Sequence, residues 1–348
     1  MKIFEQIKTL LIGDKPFVCY LKPNENIGHL VVQENDDLHE FSGQSGFIFM
    51  PFDAGIKVVL PFENCSVSSE EFVFSAKENT TDYSPSEISE KMSFEALVSN
   101  GIEAIHKGVF EKVVVSRKLI LQESIAVLET FQNLIASYPT AFRSLFFHPK
   151  IGLWMGATPE QLVKINENKF ETVALAGTQL YSENLIWEAK EIEEQQFVTD
   201  YIIDKVKDKV SELKVYNAET IKAGKLAHLK AIITGKLTND LSAIELVKTL
   251  HPTPAICGMP KEEAIAFILK NECYNRKYYS GYLGEWNKEN QSDLFVNLRC
   301  LEVAENTVNI YVGCGITKDS NPEKEFIETE HKSMTMKNIL VLNNTFKL

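Results

Sequence analysis

Two acidic segments of the chain share one spacing. Glu191 and Glu194 lie in EAKEIEEQQFV, and Glu325 and Glu328 lie 134 residues later in NPEKEFIETEHK. A spacing of three puts both carboxylates of a pair near one helix face. Four carboxylates brought face to face repel one another unless a cation lies between them. Hard oxygen donors of this kind suit Mg2+, which often bridges protein carboxylates and an anionic substrate. Such pairs are common on solvated helices, so their weight depends on the polar residues placed around them.

Lys112 precedes three valines in EKVVVSR. Apolar surroundings lower an amine's pKa by desolvation and make it a usable base; a lysine snorkelling from a strand edge has the same local sequence. Arg117 reads either as a local ion-pair partner or as a positioning group. Glu160, in MGATPEQLV, falls between two strand-like runs. A turn there can aim a partly protonated acid into a cavity, or leave a solvated glutamate. Gly177 in ETVALAGT allows close approach of an oxyanion, which neighbouring amides or Thr178 can bind; an unliganded tight turn reads the same. HPTPAICG restricts the backbone and suggests a shaped pocket wall, with His251 as a helix cap or a buried donor. Arg299 ends LFVNLRC, where a guanidinium can grip a carboxylate bidentately or pair at the surface. Gly313 and Gly315 in GCGI can expose backbone N–H groups to an anion. Lys332 lies four residues beyond Glu328, so a helix salt bridge explains it; contact with a metal-bound anion is the functional alternative.

The elements that must carry these residues are partly legible. An N-terminal helix precedes strands at Phe17 to Leu21, Gly46 to Met50 and Ile56 to Leu60. Cys65 to Ser93 is rich in Ser, Glu and Asn, with Pro85, and is expected as an exposed connection with one short strand at Phe72 to Phe74. Phe94 to His106 reads as an amphipathic helix stopped by Gly108, and KVVVSR as the strand after it. Strand-rich stretches run from Phe142 to Leu175 and from Gly281 to Ile316. The region between them is expected to be helical. Glu188 to Lys209 would place Phe197, Val198, Tyr201, Ile202 and Val206 on one apolar face, followed by helices at Ser242 to Leu250 and Lys261 to Asn271. A last helix is expected from about Glu323 to Leu340. Sheets with helical insertions favour α+β over a regular βαβ repeat.

Bulk properties narrow the function classes. A chain of 348 residues, 44% hydrophobic and 24% charged, has the balance of a soluble globular enzyme. A formal charge of −12 argues against a broad nucleic-acid surface but leaves room for a local basic pocket. Six cysteines without a C-x-x-C pair read as reduced thiols. With no signal-like or membrane-length apolar run, a cytoplasmic protein without a membrane or nucleic-acid partner is expected.

Taken in order, EKVVVSR, GATPE, ETVALAGT, HPTPAICG, YSGYLGEW, VNLRC, GCGI and PEKEFIETEHK are far more specific than any one of them. The set spans roughly Phe94 to Val341 and resembles the chorismate-utilising enzyme family, and within it the isochorismate synthases. The resemblance implies an α+β fold with a large antiparallel-sheet core surrounded by helices. It implies a variable N-terminal region over residues 1–93, packed on the same fold as a chorismate-binding catalytic region over 94–348, in one structural domain. Chorismate and Mg2+ would share a central cleft. By motif, Lys112 matches the base that activates water for attack at ring C2, and Glu160 the acid that protonates the departing C4 hydroxyl. Glu194 and Glu325 match the Mg2+ ligands, and Glu191 and Glu328 the outer carboxylates that hold metal-bound waters. Gly177 and Thr178 match a substrate-contacting turn, and His228 a histidine near the ring. Arg299, Gly313 and Gly315 match the grip on the enolpyruvyl carboxylate, and Lys332 a lysine near the ring carboxylate and metal.

The implied reaction is the reversible conversion of chorismate to isochorismate. Ala176 stands where covalent-type aminodeoxychorismate synthases carry a nucleophilic lysine, and Lys112 argues against anthranilate synthase chemistry. Two alternatives stay open: a salicylate synthase, which goes on to eliminate pyruvate, and a non-catalytic chorismate-binding protein. EIEEQQ departs from the histidine-containing run of many isochorismate synthases, while Glu194 is kept. Menaquinone and siderophore supply are both compatible with the resemblance. So is a monomer, because the family's site lies within one chain.

Overall fold

The computed structural model describes residues 2–74, 86–223, 226–238 and 241–343. Two antiparallel sheets carry the molecule. In spatial order the nine-stranded sheet runs Gly258–Met259, Lys112–Leu121, Val308–Ile316, Cys300–Val303, Gly152–Thr158, Phe142–His148, Phe17–Leu21, Ile27–Gln33 and Cys65–Glu71. The ten-stranded sheet runs Val210–Val215, Leu226–Leu237, Lys169–Leu180, Gln161–Asn166, Gln291–Val296, Tyr282–Lys288, Gly46–Met50, Val58–Pro61 and His39–Glu40, with Glu219–Ala223 also pairing Leu226–Leu237. This is the α+β architecture expected from the order of elements, with the antiparallel core that the family resemblance implied.

An aromatic layer joins the two sheets. Phe146 of the first meets Phe49 of the second at 4.6 Å between ring centroids, and Phe142 stacks on Phe295 at 4.3 Å. Phe17–Leu21, Gly46–Met50 and Val58–Pro61 are therefore buried on both faces, which is why they read as unbroken apolar runs. Helices Lys2–Ile12 and Val127–Ser137 cover the other side of the first sheet through Phe4, Ile7, Phe131 and Leu134. A second core joins helices Ile88–His106, Ala189–Val206 and Ala243–Leu250 to strands of both sheets. Within it, Val198, Ile202 and Val206 fasten the carboxylate helix, each contributing about 1.5–3 kcal/mol by burial. The N-terminal strands enter both sheets: Phe17–Leu21 pairs with Phe142–His148, and Gly46–Met50 with Tyr282–Lys288.

Several boundaries differ from expectation. The strand near the polar connection is Cys65–Glu71, not Phe72 to Phe74. Its side chains are mostly exposed because it forms a sheet edge, so hydrophobic alternation cannot reveal it. Phe72 instead packs into the core against Phe4. Residues 75–85 of that connection, with Pro85, lie outside the described residues. The helix expected at Phe94 begins at Ile88, and the last helix is Pro322–Lys337. The stretch after residue 209, expected to be helical, forms the strands Val210–Val215, Glu219–Ala223 and Leu226–Leu237. Leu229, Ala231, Ile233 and Gly235 are buried and alternate with half-buried Lys230, Ile232, Thr234 and Lys236, the period-two pattern of a strand. On the carboxylate helix, Phe197 is 50% exposed rather than on the buried face.

Candidate active site

Lys112 opens the strand Lys112–Leu121, which pairs along Val308–Ile316 with Val114 opposite Gly315 and Ser116 opposite Gly313. A Cβ at Gly315 would stand 3.0 Å from Lys112 Cε and 3.5 Å from its Nζ. The glycine thus leaves the lane through which the lysine enters the interior. There Lys112 Nζ donates to Glu194 Oε1 at 2.5 Å, and the lysine side chain is only 13% exposed. The surface-snorkelling alternative does not apply.

Lys169–Leu180 makes a register shift between Ala176 and Thr178, with Gly177 at φ +73°. A Cβ at Gly177 would lie 3.1 Å from Glu191 Cβ and 3.3 Å from Glu191 O, so the carboxylate helix seats directly on this bulge. The Gly177 carbonyl accepts from His228 Nδ1 at 3.1 Å. A carbonyl can only accept, so Nδ1 carries the proton. Burial holds His228 neutral, pushing it down to about 4. Thr178 falls opposite His228 in the ladder, and its side chain lies outside the described residues. Gly177→Ala is expected to cost about 1–3 kcal/mol in backbone strain and to displace the start of the carboxylate helix. Thermal unfolding and ligand affinity measured together check this; weakened stability with unchanged affinity would uncouple the bulge from the helix.

The two acidic segments are helix N-termini. Glu191 and Glu194 lie in the first turns of Ala189–Val206. Pro322–Lys337 begins with Asn321 as its cap, accepting from Lys324 N at 3.1 Å, and with proline in the first turn, where a missing N–H costs nothing. Glu325 is buried beside Cys314, whose thiol is pushed well up by burial and by the nearby Glu325 carboxylate. Glu328 pairs with Lys332 at 2.5 Å, and Lys332 Nζ also donates to Gly313 O at 3.1 Å. The helix salt bridge and the reach toward the glycine turn are both present.

These groups meet in one cavity of about 230 Å³. Lys112, Glu160, Gly177, His228, Arg299, Gly313, Gly315 and Lys332 line it with all four carboxylates, Glu191, Glu194, Glu325 and Glu328. Burial pushes Glu160 up to about 8, against the opposing pull of the Arg299 guanidinium. Arg299 sits between two strands at φ +47°, and burial lowers its own pKa, opposed by Tyr279, Glu328 and Glu160. Among the described residues, Glu191 Oε2 is buried with no hydrogen-bond partner.

A scan of known families matches the chorismate binding enzyme family over residues 62–341. The chain belongs to that family. Among its relatives, isochorismate synthase EntC of Escherichia coli is 29% identical over 272 residues, covering 74% of this chain and 69% of EntC. Isochorismate synthase DhbC of Bacillus subtilis is 30% identical over 260 residues, covering 69% of this chain and 65% of DhbC. Among solved structures, a Bacillus anthracis chain described as a 2,3-dihydroxybenzoate-specific isochorismate synthase superposes with a TM-score of 0.79 at 25% identity, over 95% of this chain and 98% of that one. Anthranilate synthase component I of Streptococcus pneumoniae shares the fold, with a TM-score of 0.71 at 18% identity over 92% and 89%.

As a chorismate binding enzyme, the protein is built so that distant segments supply the cavity walls. Tyr279 lines it beside Arg299, although YSGYLGEW suggested no role for it. Cys314 is another lining residue that sequence reasoning left aside. Arg117 is excluded from the chemistry: it pairs with Glu330, donates to Thr329 Oγ1 at 2.8 Å and lies over Phe326 at 4.5 Å. It braces the C-terminal helix. His251 ends the helix Ala243–Leu250 and its Nε2 meets Ser280 O at 2.9 Å, so both local alternatives hold together. A neutral imidazole bonded to a carbonyl donates there. Among the described residues, no helix is long and apolar enough to cross a membrane.

Proposed function

We propose that this enzyme is an isochorismate synthase, converting chorismate reversibly to isochorismate. The observation that carries the reading is a lysine and a proton-holding carboxylic acid lining one cavity, with an arginine beside the acid. Lys112 takes a proton from water as the water oxygen bonds to ring C2. Glu160 gives its proton to the C4 hydroxyl, which leaves as water while the ring double bond shifts. One water enters and one leaves, so the net change is an isomerisation. Arg299 grips a carboxylate of the substrate, with the glycine turn at Gly313 and Gly315 beside it and Gly177 at another wall. His228 presents a neutral ring, and Lys332 adds positive charge. Fixing these groups around the substrate supplies most of the rate gain, as pre-paid orientation and charge placement. Ala176 lines the cavity where a covalent amine donor would need a lysine; among the described lining residues the lysines are Lys112 and Lys332.

Four carboxylates face three cationic side chains in the lining. A dicarboxylate substrate would add further negative charge, so a divalent cation fits the charge balance. Glu191 Oε2, buried and without a partner among the described residues, fits it as well, and all-oxygen donors suit Mg2+. Glu194 and Glu325 would hold the ion, with Glu191 and Glu328 around it, and the bound ion would neutralise the ring carboxylate. An ion held by Glu194 would share that carboxylate with Lys112, which donates to it in the structure.

The test is chorismate incubated with the purified protein and Mg2+, with and without EDTA, and products separated chromatographically. Isochorismate without salicylate or pyruvate is expected only when Mg2+ is free. Salicylate with matching pyruvate would replace this reading by salicylate synthesis. Glu194→Ala is expected to lose the Mg2+ dependence of chorismate binding; an unchanged magnesium response in calorimetry would remove Glu194 from the ligand set.

A further inference from the structure

The strand led by Lys112 lies one place from the end of its sheet. Along one side it pairs with Val308–Ile316. On the other, Gly258–Met259 pairs only with Val113 and Lys112. Val114 N–H still reaches Cys257 O at 2.8 Å. Beyond that point, among the described residues, no strand meets the Val114 carbonyl and the Ser116 N–H. Buried backbone groups of this kind need partners.

A pair of side chains supplies them. Arg276 Nη2 donates to Val114 O at 2.7 Å. Glu272 Oε1 accepts from Ser116 N at 2.7 Å and from Ser116 Oγ at 2.8 Å. The two side chains are themselves joined by a fork, Nε to Oε2 at 2.8 Å and Nη2 to Oε1 at 2.6 Å. Both residues are buried, and the guanidinium lies 4.5 Å from the Phe52 ring centroid. One donor and one acceptor are thus presented to the edge in the order a neighbouring strand would present them.

We propose that the Glu272–Arg276 pair positions Lys112, acting as a side-chain substitute for the strand that the sheet lacks beside Val114 and Ser116. This rests on the isochorismate synthase reading for its catalytic consequence. Stability alone does not call for the pair, because well-packed apolar residues often replace a buried ion pair without loss. An apolar pair cannot bond a carbonyl and an amide, and those bonds fix the strand two residues beyond Lys112.

The test compares the parent with Glu272→Met/Arg276→Met, which removes both charges together and avoids leaving one buried alone. The double variant is expected to fold with a lowered Tm, because the Val114 carbonyl and the Ser116 amide lose their partners. Its kcat should fall about 10–100-fold, as for a reacting group displaced by about 1 Å, with KM for chorismate shifting far less. The Ser116 amide should exchange hydrogen faster. Parental kcat in the folded double variant would overturn the proposal. If the double variant does not fold, Arg276→Lys, which keeps the charge balance, takes its place: a lower kcat at near-constant KM supports the proposal and an unchanged kcat defeats it. If the parent itself makes no isochorismate, the functional reading is what fails. The Ser116 exchange rate in whichever of these variants folds then decides the surrogate strand, and unchanged protection would refute it.

Discussion

Lys112→Ala is expected to abolish isochorismate formation while the protein stays folded. The side chain enters the cavity through the space left by Gly315 and ends on Glu194, so its removal takes the base from the water without opening either main core. Loss of a positioned base costs about 10²–10⁴-fold in turnover, and loss of the positive charge beside four carboxylates adds to it. The proposed Mg2+ site would keep its carboxylates, and Glu194 would lose its lysine partner. Stopped or continuous assays of isochorismate, with circular dichroism as the fold control, check this. Turnover within a few-fold of the parent would remove Lys112 from the reaction.

Glu160→Gln is expected to bind chorismate and fail to turn it over, by about 10²-fold or more. The amide fills the same buried site but has no acidic proton to give the leaving hydroxyl. The parent should show a matching pH dependence. Burial raises Glu160 to about 8, so the acid is present below that value and is lost as pH rises through it. Forward turnover should therefore fall above about pH 8. Stability follows the same sign. The folded protein keeps a proton that the unfolded chain releases near pH about 4.3, so stability is lost as pH climbs from there through about 8. The glutamine variant escapes that cost and should be at least as stable as the parent in alkaline solution. Loss of activity without loss of stability separates the acid role from a structural one; a parent-like kcat would end it.

Legibility differed by the physical origin of each signal. Strands buried on both faces, such as Phe17–Leu21, announce themselves because every residue must be apolar. Cys65–Glu71 does not, since an edge strand owes its pairing to backbone groups and exposes its side chains. Leu226–Leu237 alternates correctly, but its lysines and small residues blur the period, and its partner Lys169–Leu180 lies far back in the chain. For the site, Lys112, Glu160, Arg299 and the carboxylates each had a solvated local alternative. Only their order along the chain, and the resemblance built on it, pointed to one cavity. Lys112 was read through its valines, whereas the contact that defines it is Glu194, a residue 82 positions away. Glu272 and Arg276 were missed for a related reason. Their spacing resembles an exposed helical salt bridge, yet the helix Lys261–Asn271 has ended before them, and their partners are backbone atoms more than 150 residues upstream.

The interleaved N-terminal strands constrain the order in which the molecule can assemble during synthesis. Phe17–Leu21 has to wait for Phe142–His148 to leave the ribosome, and Gly46–Met50 for Tyr282–Lys288. Until then their apolar faces and open edges have no native cover. The aromatic layer between the sheets cannot close before Phe295 arrives to meet Phe142. A nascent chain of this protein therefore carries these strands as unfinished work until their later partners emerge, and the cavity becomes whole only when the helix bearing Glu325 and Glu328, the last among the described residues, swings into place.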